Sequence, residues 1–504
     1  MRRAYQVAAV RAAERALMDR LPEGTLMGRA AAGLASVCAS LLARHPGHVY
    51  GARVVVLAGS GDNGGDALYA GALLARRGAA VTAITAGPKA HAGGTAELRA
   101  AGGRVTPDLA AAPDLIGCAD LIVDGLLGIG GRGGLRDPFA GLAAAADQAR
   151  RDGYGTVVAV DLPSGIDADT GAVDGPAVRA DVTVTFGAIK PGLLIDPGAG
   201  HAGAVELIDI GLGPYLTGEP AVVASQSEDI AGLLPRPGAE SDKYRRGVLG
   251  LLAGSERFGG AVVLAAGGAL RGGAGLVRVV TGSGAAAAVR QAWPEAVLTV
   301  YPDDAGWDLI GSVGRVQAWV AGPGMGTGQD AMARLAAILG TDLPVLVDAD
   351  GLTILSQHRD LLPRQAPTLI TPHAGELARL LGTEAASIEA HRLEHARRAA
   401  AELGVTVLLK GSTTVVVGGT GGPAFVNPTG TPWLATAGSG DVLSGLAGSL
   451  LAQGLPPAEA GIAAAYLHGI AARLAAAGGS EHPGEAPIVA HDVITALPAA
   501  IRSL

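Results

Sequence analysis

Residues 53–67 read RVVVLAGSGDNGGDA. The apolar, β-branched run 53–58 has the composition of a buried strand, and the glycines after it lead into an Ala/Leu-rich stretch that predicts a helix beginning near Ala67. Glycines at a strand-to-helix turn let the backbone approach a ligand closely, with amides and the helix N-terminus directed at phosphate. A tight turn needing positive φ would explain the glycines alone. It does not explain Asp62, Asn63 and Asp66 among them, so the segment predicts a parallel α/β sheet with a ligand at the carboxyl ends of its strands.

The same rhythm continues outward, with strands predicted at 80–85, 121–124, 156–161, 181–186 and 204–209 between helical stretches, the pattern of a sheet covered on both faces. Two of these also end in aspartate. Asp124 runs into the glycine-rich segment 125–134, and Asp161 into Leu162-Pro163-Ser164-Gly165. One strand-end aspartate is commonly a helix cap; Asp62, Asp124 and Asp161 together, each beside a glycine loop, favour a site. The pattern weakens over 211–226, where a domain boundary is expected, and restarts near Lys243. Strands are then predicted at 248–253, 276–280, 318–321, 345–348, 368–370 and 406–409, with a hairpin formed by 413–417 and 422–426.

A chain of 504 residues exceeds what one core usually organises, and two domains are expected, 1–220 and 221–504. Hydrophobic residues make up 49% but aromatics only 3%, because Ala and Gly supply much of the apolar content. Runs such as 262–266 and 446–452 are far below the ~20 residues of a bilayer span, so no membrane segment is expected. Arg11, Glu14 and Arg15 interrupt any secretory apolar region. Cys38 and Cys118 lack CxxC spacing and read as buried thiols in a reducing cytoplasm. A net charge of -8 weighs against nucleic-acid binding.

The second half carries its strongest motif at 427–443, NPTGTPWLATAGSGDVL, which passes into the helical run 444–452. Gly438, Ser439 and Gly440 before a helix expose amide donors where negative charge develops, with Asp441 placed as a potential base. A simple cap would need neither these glycines nor a matching phosphate loop. That loop follows the strand 406–409: Lys410, Gly411, Ser412, Thr413 and Thr414 offer a cation, a glycine and hydroxyls to phosphate oxygens.

These two loops resemble the ribokinase-like superfamily. The first-half segments GSGDNGGDA, VDGLLGIGGRGG, VDLPSGIDADTG and FGAIKPGLLIDPGAGHAG are similar, in order and spacing, to NAD(P)H-hydrate epimerases over nearly all of residues 1–220. AGSERFGGAVVLAAGGALRGGAGLVRV, AGPGMG, VDADGL, TPHAGE, LLKGSTT and GSGDVLSG resemble NAD(P)H-hydrate dehydratases over about 240–500. The resemblance implies a Rossmann-like three-layer α/β domain followed by a ribokinase-like α/β domain.

It further implies that the hydrated dinucleotide is held by Asp62, Asn63, Gly64, Gly65 and Asp66 and by Gly128, Ile129, Gly130, Gly131, Arg132, Gly133 and Gly134. Asp161 would lie beside the reacting ring as the catalytic group, with potassium at Asn63, Asp124 and Ser164. In the second domain, Ala261, Gly324, His373 and Asp441 would contact the hydrate, Asp441 being catalytic. Lys410, Gly411, Ser412, Thr413, Thr414 and Gly440 would bind the adenine nucleotide, ADP with Mg2+. A cytoplasmic homo-oligomer acting on hydrated NADH and NADPH is the matching expectation. The chain departs from the family pattern at Asp62, Ala67, Thr431, Trp433, Leu434, Ala437 and Ser439. A small-molecule kinase that releases its phosphorylated product is the rival reading of the second-half loops.

Overall fold

The computed structural model describes residues 1–87, 89–131, 133–301, 308–478 and 484–504. The chain divides into two compact units, Arg3–Val222 and Val223–Leu504, with Met1–Arg2 grouped with the latter.

The first unit is built on a seven-stranded sheet in the order Arg104–Thr106, Ala80–Thr85, Arg53–Ala58, Leu121–Gly125, Thr156–Val160, Val182–Phe186, Ala204–Ile208. Every pairing is parallel. The order reverses between Arg53–Ala58 and Leu121–Gly125, a switch point where diverging loops leave a crevice at the strands' carboxyl ends. Helix Thr25–Arg44 buries Ala30, Leu34, Cys38 and Leu42 at four-residue spacing, a stripe that belongs to this unit's core. By length and composition this helix could cross a membrane; its glycine at position 33 instead brings it against the sheet, where a Cβ would come within 2.4 Å of Ile208. Cys118 is exposed, not buried as expected, whereas Cys38 is buried.

In the second unit the parallel strands run Val297–Val300, Leu276–Thr281, Val248–Leu252, Ala318–Ala321, Val345–Val347, Thr368–Ile370, Thr406–Leu409. The hairpin Thr414–Val417 and Ala424–Asn427 continues the sheet antiparallel. Here too the order reverses, between Val248–Leu252 and Ala318–Ala321. Helices Gly259–Arg271 and Ser439–Ala452 lie in close backbone contact. A Cβ on Gly445 would fall 1.9 Å from the Ala265 carbonyl oxygen, and one on Gly268 2.2 Å from that of Val442. This approach fixes the two helix N-termini relative to each other.

Differences from the sequence reading are local. The three- and four-residue strands Arg2–Ala4, Arg104–Thr106, Val222–Ala224 and Val297–Val300 are too short to show a periodicity. Two helices begin earlier than expected, at Asp62 and at Ser439, so the glycine-rich stretches form their first turns. Gly59, Gly61, Gly64 and Gly65 are absent from the positive-φ glycines. Close packing accounts for two of them: a Cβ on Gly59 would lie 1.9 Å from the Leu126 carbonyl oxygen, and one on Gly64 2.3 Å from that of Gly59, whereas one on Gly61 would meet nothing within 4 Å.

Candidate active sites

At the first switch point, Asp62, Asn63 and Asp66 on the opening turn of helix Asp62–Arg76 face Gly128, Ile129, Gly130, Gly131 and Asp161 across a cavity of about 450 Å³. Gly64 and Gly65 lie behind it in the helix packing. A Cβ on Gly134 would meet the Gly175 backbone at 2.5 Å, and Gly133 takes a positive φ of 72°; both shape the far end of the loop. Arg132 lies outside the described residues.

The strand expected to reach Asp161 stops at Val160, and Asp161 itself adopts φ 64°. Aspartate tolerates this left-handed region better than most residues, and the turn swings its carboxylate out of the pleat into the cavity. Thr185 Oγ1 and the Phe186 amide donate to its Oδ1 at 3.0 and 3.2 Å, as does Lys190 Nζ. All three bonds converge on one oxygen, so among the described residues Oδ2 accepts none. Lys190 is almost fully buried and also donates to Thr185 Oγ1 at 3.0 Å.

Two residues of helix Val7–Met18, Arg11 and Glu14, also line the cavity. Burial pushes the Glu14 carboxyl up, with Lys190 opposing and Asp161 adding to the rise. Asp66 is raised well above the usual carboxylate range by burial and then by Asp161, Asp62 and Glu14. Its Oδ1 has no hydrogen-bond partner. The cavity thus combines an ionic Lys190–Asp161 pair with carboxyl groups held toward their neutral, proton-donating form.

Behind it, Asn63 Nδ2 donates to the Leu127 carbonyl at 3.0 Å, and Ser164 Oγ donates to Asp124 Oδ1 at 2.7 Å. Asp124 Oδ2 accepts from the Ser164 amide at 2.8 Å. The Asp124 carboxyl is fully buried and pushed up to about 6 by desolvation, with hydrogen bonds from Ser164 and Leu126 opposing. Among the described residues, no positively charged side chain contributes to that balance.

In the second unit, a cleft of about 890 Å³ is lined by His373, Lys410, Gly411, Ser412, Thr414 and Gly440, together with Thr431, Leu434 and Ser439. Thr413 is buried beside it. Ala261 and Gly324 are neighbours at the switch point: a Cβ on Gly324 would lie 2.9 Å from that of Ala261. Gly324 requires its glycine at φ 62°.

Lys410 Nζ bonds Asp348 Oδ1 at 2.7 Å and lies 3.8 Å from Glu376 Oε2. Burial works against its charge, but Asp348 and Glu376 more than offset this and its pKa is raised. Asp348 is itself buried, with Ser444 Oγ donating to its Oδ2 at 2.5 Å. Gly440 is close to the same cation, a Cβ there being 3.5 Å from Nζ. Asp441 follows in the first turn, and helix Ser439–Ala452 has Gly438 as its N-cap with no side-chain cap bond, which removes capping as an explanation for Asp441. Its carboxyl is pushed up to about 7 by burial and by Asp348, with Lys410 opposing.

His373 caps helix Ala374–Leu381, its Nδ1 accepting from the Gly375 amide at 3.0 Å, while Glu376 accepts from the His373 amide at 2.8 Å. Trp433 lies in a short 3-10 turn, its indole donating to Glu485 Oε2 at 2.7 Å. Sequence reasoning assigned no role to Glu14, Lys190, Asp348 or Glu376. The last three stand inside the quoted motifs FGAIKPG, VDADGL and TPHAGE, which pointed to them; for Glu14 no signal was present.

Residues 23–192 match the family model for the YjeF-related protein N-terminus, and residues 249–488 that for NAD(P)H-hydrate dehydratase. The bifunctional NAD(P)H-hydrate repair enzyme of Mycobacterium leprae is 47% identical over 507 residues, covering 100% of both chains. A ribokinase-like superfamily protein from Enterococcus faecalis superposes with a TM-score of 0.50 at 26% identity, over 56% of this chain and 96% of that one. The ADP/ATP-dependent NAD(P)H-hydrate dehydratase of Bacillus subtilis, crystallised with ATP and Mg2+, gives 0.49 at 30% identity over 55% and 97%. Two switch-point sites in the order of the two family models, within a chain nearly half identical to such an enzyme from end to end, have one consequence: the chain belongs to the family of bifunctional NAD(P)H-hydrate repair enzymes.

Proposed function

We propose that the first unit interconverts the R and S forms of hydrated NADH and NADPH and that the second dehydrates the S form at the expense of a nucleotide, with the two activities divided at residues 220 and 221. The observation that carries this reading is Asp441, its carboxyl pushed up to about 7 with the Lys410 charge opposing, in the first turn of the helix whose Gly440 lines the cleft together with Lys410. A group titrating near the working pH is suited to take a hydroxyl proton.

The hydrate has a hydroxyl on C6 of the nicotinamide ring, and hydroxide leaves poorly. Asp441 takes the proton as the C6 oxygen attacks the terminal phosphorus of ADP, whose bridging P–O bond breaks to release AMP. The phosphate then departs with the C–O electron pair, aided by the ring nitrogen lone pair. Loss of a proton from C5 restores NAD(P)H. Lys410 and the Gly440 amide offset charge on the phosphoryl group. Mg2+ would accompany the nucleotide and supply charge compensation to its phosphates.

In the first unit, Asp161 assists loss and return of the C6 oxygen. The oxygen-rich set of Asn63, Leu127, Asp124 and Ser164 suits a hard cation, and a buried carboxyl with no cationic partner among the described residues fits potassium there. A cytoplasmic homo-oligomer is part of the same reading. The direct test supplies mixed hydrate epimers with ADP and Mg2+ and follows reduced-nicotinamide absorbance. Its return supports the reading; accumulation of a stable phosphorylated product would identify a kinase instead.

A further inference from the structure

A second cavity of the Val223–Leu504 unit, of about 500 Å³, lies at the far end of helix Ser439–Ala452 from the cleft. Ser439 and Gly440 open that helix in the cleft, whereas Leu450 and Gln453 reach this cavity, roughly 20 Å away by the rise of a 14-residue helix. Arg236, Arg245, Arg246 and Arg502 line it, and among the described residues its lining includes no Asp or Glu. In a chain of net charge -8, four guanidinium groups around one opening form a local positive field that attracts anions. The floor is apolar: Leu450 and Leu467 are each 1% exposed, and Leu234, Ile501 and Leu504 pack against the same core.

Helix C-termini explain part of this charge. Gly272 and Gln453 terminate helices Gly259–Arg271 and Ser439–Ala452 here. Arg246 Nη2 donates to the Gly273 carbonyl at 3.1 Å, and Gln453 Nε2 to that of Gly272 at 3.1 Å. Arg245 Nη1 donates to the Glu240 carbonyl at 3.2 Å and lies 3.9 Å from Glu240 Oε2. Arg502 closes its own helix, where its charge is favoured, yet bonds no carbonyl among the described residues. Among those residues the guanidinium groups of Arg236 and Arg502 make no hydrogen bond or ion pair, so both donor forks are available to a ligand. An apolar floor joined to two free forks has the make-up of a small-molecule site, and two positive charges match a dianion whose oxygens accept bidentate bonds. We propose that this cavity is a second ligand site, separate from the cleft, that takes a soluble phosphate monoester, with its phosphate on Arg236 and Arg502 and its organic part on the leucine floor.

Isothermal titration calorimetry on the full-length protein, at constant ionic strength, tests this with phenyl phosphate, inorganic phosphate and benzyl alcohol. Phenyl phosphate is expected to bind at least about 10-fold more tightly than either of the others, because each lacks one half of the recognition. Its affinity should fall at least about 10-fold in Arg236→Gln/Arg502→Gln. Both positions are exposed, so the melting temperature and the dehydration rate of that variant should match the wild type. Binding should persist in Lys410→Met/Asp348→Asn, whose changes lie in the cleft. Equal affinity for phenyl phosphate and either fragment, or no binding at about 10 mM, overturns the proposal without any variant. So does an unchanged affinity in the arginine variant, or loss of binding in the Lys410 variant, which would move the phosphate to the cleft. Cosedimentation with phosphatidic acid vesicles that the arginine substitutions abolish, without binding of phenyl phosphate, would assign the cavity to a lipid headgroup instead.

Discussion

Lys410 Nζ and Asp348 Oδ1 lie 2.7 Å apart across 62 residues of chain, and this pair joins the loop after one strand to the end of another. Asp348 is 1% exposed, so removing the lysine leaves a buried charge without its partner. Lys410→Ala should lose about 3 kcal/mol of stability and also weaken ADP use by roughly 10-fold or more through loss of a charge-assisted contact. The double variant Lys410→Met/Asp348→Asn separates these effects: its melting temperature should recover while ADP turnover does not. Recovery of both would leave Lys410 with a structural role only.

Asp441 gives a pH signature. With the carboxyl at about 7, the ionised base is depleted below that value, and the dehydration rate should fall about tenfold per unit below pH 6 and level off above pH 8. The raised value also means that the folded chain binds more protons than the unfolded chain between the ordinary carboxylate range and about 7. Stability from this group is therefore lost as pH rises through that window. Asp441→Asn should abolish dehydration, spare epimer exchange, and melt higher than wild type at pH 8 but not at pH 4. Calorimetric scans at the two pH values, with single-epimer assays, provide the check.

For the first unit, Asp161→Ala should leave the S hydrate repaired at a near-normal rate and make R-hydrate repair wait on slow spontaneous epimerisation. Thr185, Phe186 and Lys190 all hold Asp161, and every phosphate-transfer group lies in the other unit. Following each separated epimer with ADP and Mg2+ decides the matter. Equal, normal loss of both would remove Asp161 from the reaction.

Potassium dependence should be confined to epimerisation. Replacing it with a bulky organic cation should slow epimer exchange at least several-fold, because Asp124 would then be buried without charge compensation. The dehydration rate of purified S hydrate should not change. An equal effect on both reactions would argue against a cation at Asp124.

Arg392 is fully buried, and its Nη2 donates to the Lys410 carbonyl at 2.7 Å. A Cβ on Gly411 would lie 2.0 Å from that same Nη2. Gly411→Ala should therefore push the loop off its support, raising KM for ADP about tenfold with little change in hydrate affinity. Measured ADP affinity equal to wild type in a folded Gly411→Ala chain would show that the loop can yield.

The sequence by itself determined the elements and their chemistry wherever the signal is local. The alternation of β-branched and Ala-rich runs around residues 53–67 is a short-range pattern, and it marked both sheets; the ordered glycine motifs marked both switch-point loops. Asp161, Asp441 and Lys410 were legible because each sits in such a motif. What only the tertiary structure decided is the state of those groups and the company they keep. Burial and Coulomb interaction sum over neighbours remote in sequence, so neither the near-neutral carboxyl of Asp441 nor the gathering of Arg236 and Arg502 at one cavity has a local signature. The Lys190–Asp161 pair spans 29 residues and Arg392–Lys410 spans 18. Glu14 reaches its cavity from a helix whose sequence carries no motif, because packing of that helix, not its composition, places the carboxyl there.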